Sequence, residues 1–360
     1  MSNSWFKKEK PLLGMMGSGG GLAFGGRLTP KVEASGGTTA TYSNPEGNFK
    51  SHTFSTPHNA NTTDSTFVVT VAGNIDVIII GGGGGGGDGN ANGGGGGGGS
   101  VLVGTNVPVS ETGGPGGNGI YPMSIGHGGA GRQSDQHGEN GSTSSIYVDQ
   151  ISGQADANGG SGGHGYNRNN SPVGNGAGAS GPAGSAQGGA ANLWPVPGPM
   201  NGGNATWTAH GNPGSARNAQ PSLNMGGCGG GSGPWPTTMT VDTVIPDSPG
   251  YAMPGLPNTY RTGSEEWYGA GGGGANYPPT GANNRGMYGG KQGDNSNSTL
   301  WSRGGSPPNP WAGSSPVYPT THGANAGNPG QPLYGSGGGG ARDSMGGGGG
   351  AGSIIIRYLT

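Results

Sequence analysis

The sequence is poor in the residues that normally build a hydrophobic core or a charged surface. Leu, Ile, Val and Phe (11, 12, 15 and 5 residues) form about 12% of the 360 residues, below the roughly 20% at which disorder is the default expectation. Charged residues are only 9% of the chain and the net charge is −2, so the self-repulsion typical of disordered chains is missing. A single cysteine, Cys228, excludes an internal disulfide framework and a CxxC-type zinc site. If such a chain folds, backbone hydrogen bonds must supply much of the stability.

Patterns typical of catalysis are also missing. GxGxxG recurs by chance in so much glycine, but no helix follows it as a dinucleotide site requires. The seven histidines lack HExxH spacing, and the adjacent carboxyl groups of Glu265 and Glu266 would point in different directions. The slightly negative charge disfavours nucleic-acid binding, and no apolar run approaches the ~20 residues of a membrane span. We therefore expect no enzyme activity, cofactor, metal, nucleic-acid partner or membrane insertion.

Glycine, in contrast, is abundant, with 92 residues. Two seven-glycine runs, 81–87 and 93–99, flank the sequence DGNAN, whose residues favour tight turns. The β-branched stretch IDVIII runs directly into the first run, SVLV follows the second, and SIIIRY follows the last run of the chain. A flexible linker is one interpretation of such runs. Equal lengths, a turn between them and apolar strands at both ends favour an ordered hairpin.

Polyglycine II helices would satisfy these constraints. Such a left-handed helix has three residues per turn and no internal hydrogen bonds, so each N–H and C=O needs a partner in a neighbouring helix. Without Cβ atoms these helices can pack side by side, and Gly84 and Gly96 are expected at such backbone contacts. The predicted fold class is all-β and irregular: a β-strand base plus a lattice of polyglycine II helices with long aromatic loops. Little or no α-helix is expected, because Gly and Pro interrupt every candidate window.

Alternation and β-branched composition predict six strands, in FKSHTF, STFVVTV, IDVIII, SVLVGTNVPV, SSIYVDQI and SIIIRYLT. Several of these stretches, taken with their glycines, resemble a known family: FVVTVAGNIDVIIIGGGGGGG, GGGGGGGSVLVG, GIYPMSIGHGGAG and GGGGGAGSIIIRY. Together they resemble the glycine-rich domain of bacteriophage tail-fibre and adhesin proteins, including T-even-type tail-fibre tip adhesins. The resemblance covers roughly residues 49–360. It implies a polyglycine II sandwich whose variable tip loops bind the bacterial surface. The basic and aromatic N-terminus and the long Pro- and Trp-containing inserts depart from those adhesins, so loop contacts do not transfer.

Three regions follow from composition and resemblance together. Residues 49–152 with 353–360 are expected to form the β-rich base and the first glycine hairpin, and residues 153–352 the polyglycine II body with its aromatic and Pro-rich loops. Residues 1–48 are expected to attach the protein to another virion protein, because their aromatic residues and lysines have no nearby apolar sequence to bury them. The candidate attachment residues are Trp5, Phe6, Lys7, Lys8 and Lys10.

Tryptophans within the Pro-, Gly- and Asn-rich inserts are the candidate recognition residues, because loops on a rigid scaffold often carry binding. Those selected, each expected outside a regular element, are Trp207, Trp235, Trp267 and Trp311. The alternative is that a tryptophan packs over the glycine lattice as a local cap.

The predicted function is non-enzymatic adhesion of a phage particle to a protein or glycan receptor on the host cell surface, by a tail-fibre tip or tail-associated protein of the virion. A structural virion component, such as a capsid decoration or fibre-joining protein, is the alternative. An ice-binding glycine-helix protein would require a regular Gly-x-x repeat with a flat Thr or Ala face, and the irregular inserts disfavour it.

Overall fold

A computed structural model describes residues 31–55, 63–89, 93–133, 136–149, 153–163, 205–211, 224–225, 229, 231–232, 255–273, 276–277, 330, 333–342 and 345–360. Within these ranges the chain forms strands and glycine helices and contains no α-helix. The strands are β1 (Glu33–Ser35), β2 (Thr38–Asn44), β3 (Gly47–Ser55), β4 (Thr63–Val71), β5 (Gly73–Ile80), β6 (Asp88–Gly89), β7 (Val101–Val109), β8 (Ile120–Ile125), β9 (Ser144–Val148), β10 (Gly153–Ala157), β11 (Thr206–His210), β12 (Asn224–Met225), β13 (Leu256–Asn258), β14 (Glu266–Tyr268), β15 (Asn276–Tyr277), β16 (Ala341–Arg342) and β17 (Ser353–Leu359).

Two antiparallel sheets form the base of the molecule. One has five strands in the order β1-β4-β8-β9-β10, and the other has six in the order β11-β7-β5-β17-β3-β2. Alternate apolar residues of both sheets fill the space between them, among them Phe67, Tyr121, Ile79, Leu102 and Ile354. The two sheets therefore share one hydrophobic core, which the few large apolar residues of the sequence suffice to fill.

The central strands β5 and β17 are buried on both faces. Ile79 and Ile354 point into the core between the sheets, whereas Ile78 and Ile355 point to the opposite face. There the hairpin of β13 and β14 covers them with Tyr268. Burial on both faces explains why IDVIII and SIIIRY are continuous apolar runs without alternation.

The strand predictions are confirmed in β3, β4, β5, β7, β9 and β17. Two further strands lie inside the segment 1–48 that was assigned to virion attachment. Strand β1 pairs with β4, and β2 pairs with β3, so residues 33–44 belong to the sheets. The part of that segment before residue 31 lies outside the described residues.

Six strands continue directly into glycine segments. β5, β8 and β10 lead into residues 81–87, 126–132 and 159–163, whereas 93–100, 138–142 and 346–352 lead back into β7, β9 and β17. The glycine segments therefore extend the sandwich along the strand direction. We call the end of the lattice away from the sheets the tip. The opposite end of the molecule is the base end, where Val71 pairs with Glu33 and where the C-terminal residue Thr360 lies beside Asn48.

The segment 81–87 is the central helix of a polyglycine II lattice. The backbone N–H groups of this helix and of Asp88 donate to three neighbouring segments in turn, so that every third residue donates to the same segment, with N···O distances of 2.7 to 3.1 Å. Residues 81, 84 and 87 donate to 94–100, residues 82, 85 and 88 to 136–142, and residues 83 and 86 to 347–350. Its carbonyl groups accept from three further segments, 129–132, 160–163 and 338–341. A period of three directions is that of a polyglycine II helix, and six neighbours surround it.

Side-by-side packing leaves no space for a Cβ atom inside the lattice. A Cβ on Gly84 would lie 2.0 Å from the carbonyl oxygen of Ser161, and one on Gly96 would lie 2.1 Å from that of Gly84. The contact predicted for both glycines is therefore present, and it is a contact with backbone that cannot rotate away.

Candidate functional site: the tip of the glycine lattice

At the tip the chain reverses direction three times, and the described residues that flank the reversals are 88–89 with 93, 132–133 with 136, and 341–342 with 345–346; we call each flanking set a turn. Backbone hydrogen bonds join each turn to the other two. The N–H of Asp88 donates to Gln136 (3.1 Å), that of Gly93 to Ala341 (2.9 Å), and that of Gly346 to Arg132 (2.9 Å). The turns therefore form one continuous surface whose backbone the lattice fixes.

The described side chains of this surface are mostly polar. Arg132 and Glu139 form an ion pair with side chains that are 44% and 46% exposed. An exposed ion pair contributes little stability. Met345 adds an apolar side chain that is 39% exposed. This surface can offer hydrogen bonds, charges of both signs and a small apolar contact to a partner.

Two long stretches of sequence begin at the tip. Gly163 lies there, because its N–H donates to Gly85 and its carbonyl accepts from Gly138, and the next described residue is 205. The segment 269–273 ends there as well, since Gly273 accepts from Gly340. Asn276 and Tyr277 follow it, and residues 278–329 lie outside the described part. Trp311 belongs to that second stretch.

Trp207 does not lie in a loop, contrary to the prediction. It belongs to β11, an edge strand of the six-stranded sheet, and sits directly opposite Gly104 of β7. A Cβ on Gly104 would lie 2.7 Å from the indole ring, so the missing side chain makes room for the ring. The indole packs against the hydrophobic core. Trp207 is thus an edge cap of the sandwich, away from the tip.

Trp267 is also in a strand, contrary to the prediction. It lies in β14 and pairs with Pro257 of β13, in the hairpin that covers the outer face of the six-stranded sheet. Its indole nitrogen is buried and has no hydrogen-bond partner among the described residues. The other two selected tryptophans, Trp235 and Trp311, lie outside the described residues, as do the attachment candidates Trp5, Phe6, Lys7, Lys8 and Lys10.

The same hairpin contains a polar cluster that the sequence did not reveal. Glu266 forms an ion pair with Arg261, whose Nε lies 2.7 Å from the carboxylate, and it accepts a hydrogen bond from Tyr268 (2.8 Å). The hydroxyl of Tyr334 lies 3.0 Å from the Arg261 guanidinium. Burial alone would raise the pKa of Glu266, but the hydrogen bonds from Arg261, Tyr268 and Tyr334 outweigh it and lower the pKa. Every polar group of this cluster has a partner within it, so we assign it to holding the hairpin on the sheet.

Within the described ranges, no three His, Cys, Asp or Glu side chains are close enough together to hold a metal ion. The described residues also contain no helix that is long and apolar enough to span a membrane.

Comparison with known proteins gave one family match. A family model described as a glycine-rich domain matches residues 59–359, from four residues before β4 to the end of β17. A search of curated proteins gave no match.

Proposed function

The chain belongs to the glycine-rich domain family, and from this premise we propose that it is a non-enzymatic adhesin on the surface of a phage particle, at a tail-fibre tip or associated with the tail. Its tip would bind a protein or glycan on the host cell. Residues before 31 would attach it to another virion protein. The resemblance of its strand–glycine junctions to tail-fibre tip adhesins supports the phage assignment.

The observation that carries the proposal is the placement of the two ends. The first described residues enter β1, where Glu33 pairs with Val71 at the base end. The three joined turns lie at the opposite end, beyond the glycine lattice. A segment that attaches the protein at the base end would therefore point the tip outward, toward a cell.

Rigidity of the lattice supports the same proposal. The described residues at the tip follow helices whose backbone groups are bonded to several neighbours, so these residues need little further ordering when a partner binds. Less ordering on binding leaves more of the contact energy for affinity. A rigid scaffold under polar turns is a suitable arrangement for recognition.

A structural virion component is the second candidate, and a specific observation favours it. Two of the four selected tryptophans, Trp207 and Trp267, lie in strands and are only partly exposed, so neither is a fully exposed aromatic anchor. Aromatic recognition would then depend on Trp235 and Trp311. If those residues contact other virion chains, the protein would strengthen the particle and not bind the cell.

Substitution of the tryptophans separates the two candidates. We expect Trp311→Ala to weaken adsorption of particles to host cells by about 2 kcal/mol or more, roughly thirtyfold, as for an aromatic hot spot. Trp235→Ala tests the second remaining anchor in the same assay. Trp207→Ala is the matched control: we expect it to lower the melting temperature of the purified protein, because it opens the edge of the core, without changing adsorption.

A second arm tests attachment. A chain that lacks residues 1–30 retains β1 and β2, so it is expected to fold and to compete with particles for host cells while failing to join particles. The adhesin proposal is wrong if both tryptophan variants adsorb normally and particle yield falls instead. Normal incorporation of the truncated chain would contradict the attachment role of residues 1–30.

A further inference from the structure

The two sheets have four edge strands, and β2 is the longest of them. It has seven residues, whereas β1 has three and β10 and β11 have five each. Natural edge strands are usually protected by charge, proline, bulges or short length. β1 is short, carries Glu33 and has a register irregularity, and β10 carries Asp156. The sequence of β2, TTATYSN, has no charge and no proline, and its register with β3 is regular.

The backbone of β2 offers unpaired groups along this edge. The turn between β2 and β3 pairs Asn44 with Gly47. From this pair onward, hydrogen-bonded and non-hydrogen-bonded residue pairs alternate along the two strands. The backbone N–H and C=O groups of Thr39, Thr41 and Ser43 therefore face away from β3. Asn48 of β3 lies opposite Ser43, and its carbonyl accepts a hydrogen bond from the N–H of Thr360 on the other side of β3. The backbone of Asn48 thus points away from β2, as expected for a non-hydrogen-bonded pair with Ser43. Within the described residues, no backbone hydrogen bond outside the β2–β3 ladder uses these three residues.

The side chains of β2 are also open to solvent. Thr38 to Thr41 are exposed although they alternate between the two faces of the sheet, so no described side chain covers either face of this half of the strand. The strand is held near its other end, where Tyr42 stacks on Phe49 and donates to the carbonyl of Tyr260 (2.8 Å). β2 is thus positioned by the molecule, and no described residue pairs with its outer edge.

We propose that β2 pairs with β2 of a second copy of this chain, antiparallel, across a two-fold axis at Thr41. In this register Thr41 faces Thr41 and Thr39 faces Ser43, and the outward groups of both strands form about six backbone hydrogen bonds. The pairing is self-complementary, as a two-fold contact must be, and it brings no like charges together. An edge contact of this length is smaller than a standard interface of roughly 1,200 Å² or more, so the dimer is weak.

Antiparallel pairing directs the two glycine tips in opposite directions. The dimer is therefore a state of the free protein, and it does not depend on the adhesin proposal. Two six-stranded sheets join into one continuous sheet in this state, and the tip turns of both copies remain uncovered.

Charge substitution at the axis tests the pairing. We expect the wild-type protein to shift from monomer to dimer between about 10 μM and about 1 mM in sedimentation velocity. Thr41→Lys and Thr41→Glu each place two like charges on the axis, so each variant alone stays monomeric over this range. A one-to-one mixture of the two recovers the dimer, because each Lys then faces a Glu. Thr208→Lys, an exposed change on the edge strand β11, is the matched control and dimerises as the wild type does.

Thr41→Pro provides an independent test, because it removes only the outward N–H and no bond to β3. We expect it to abolish dimerisation with an unchanged melting temperature. The proposal is overturned if the wild type is monomeric throughout the range, if either charged variant dimerises alone, or if the mixture stays monomeric.

Discussion

At the scale of single residues, the fold depends on the absence of a side chain at many glycines. The requirement at Gly84 is one of space, since a Cβ there would lie 2.0 Å from the carbonyl oxygen of Ser161. Even alanine is therefore excluded unless two backbone segments move apart. Other glycines have no such constraint: a Cβ on Gly116, in an exposed turn, would approach nothing closer than the Asn118 side chain at 3.4 Å.

Gly84→Ala is expected to lower the free energy of unfolding by about 3 kcal/mol or more, because the added methyl group enters a backbone-to-backbone contact. Gly116→Ala, the same chemical change at an exposed position where the new methyl group makes only an ordinary side-chain contact, should leave stability within about 0.5 kcal/mol of the wild type. Urea unfolding of both variants measures the difference. Equal stabilities would show that the segment 81–87 does not pack as described.

Part of this residue-level picture could be predicted from the sequence. The positions of Gly84 and Gly96 follow from the run lengths, since only glycine fits a helix surrounded by others. The tryptophans could not be placed in the same way. Gly, Pro and Thr near Trp207 are typical of loops. The indole ring instead fills the space beside Gly104, which lies opposite Trp207 in the sheet but 103 positions away in the sequence. A contact between two such distant residues has no local signature.

At the scale of elements, six strands were predictable because their apolar residues alternate or run together, but β8, whose sequence IYPMSI also alternates, was not among them. Strands β13 and β14 were missed because each has only three residues. Their hairpin is held on the sheet mainly by tyrosines and an ion pair, which give no aliphatic pattern in the sequence. Glu266 shows how this hairpin is stabilised. Its pKa is lowered from the ordinary value of 4.5 because the hydrogen bonds from Arg261, Tyr268 and Tyr334 outweigh the effect of burial.

This lowered pKa sets the sign of a pH dependence. A carboxyl group with a folded-state pKa below its unfolded value stabilises the fold above the unfolded pKa, and that stabilisation is lost as the pH falls through the folded pKa. We expect Glu266→Gln to cost about 2 kcal/mol at neutral pH, as for a lost hydrogen bond to a charged group. The deficit should shrink as the pH falls below 4.5.

Thermal unfolding of Glu266→Gln and wild type between pH 3 and pH 7 measures this deficit. Glu265→Gln changes the exposed neighbouring carboxyl group and is the matched control, with wild-type stability expected near neutral pH. A deficit for Glu266→Gln that is the same at every pH would contradict an ionised role for Glu266.

At the scale of the whole molecule, the glycine segments and the sandwich form one continuous body. Three strands lead into glycine helices and three follow them, and the central helix takes its partners from segments spread between residues 94 and 350. The lattice itself was predictable from composition. Its arrangement was not, because identical glycines carry no register information, and the register comes from the strands that precede or follow each segment.

The central claim is that residues 81–87 are a helix bonded to neighbours on all sides, and amide hydrogen exchange tests it most directly. Buried, hydrogen-bonded amides exchange only when the structure opens, whereas a flexible glycine linker exchanges at the rate of an unfolded chain. We predict that the amides of residues 81–87 exchange as slowly as those of β5, and that the amide of Gly116 exchanges rapidly. Exchange of the amides of residues 81–87 as fast as that of Gly116 would contradict the lattice.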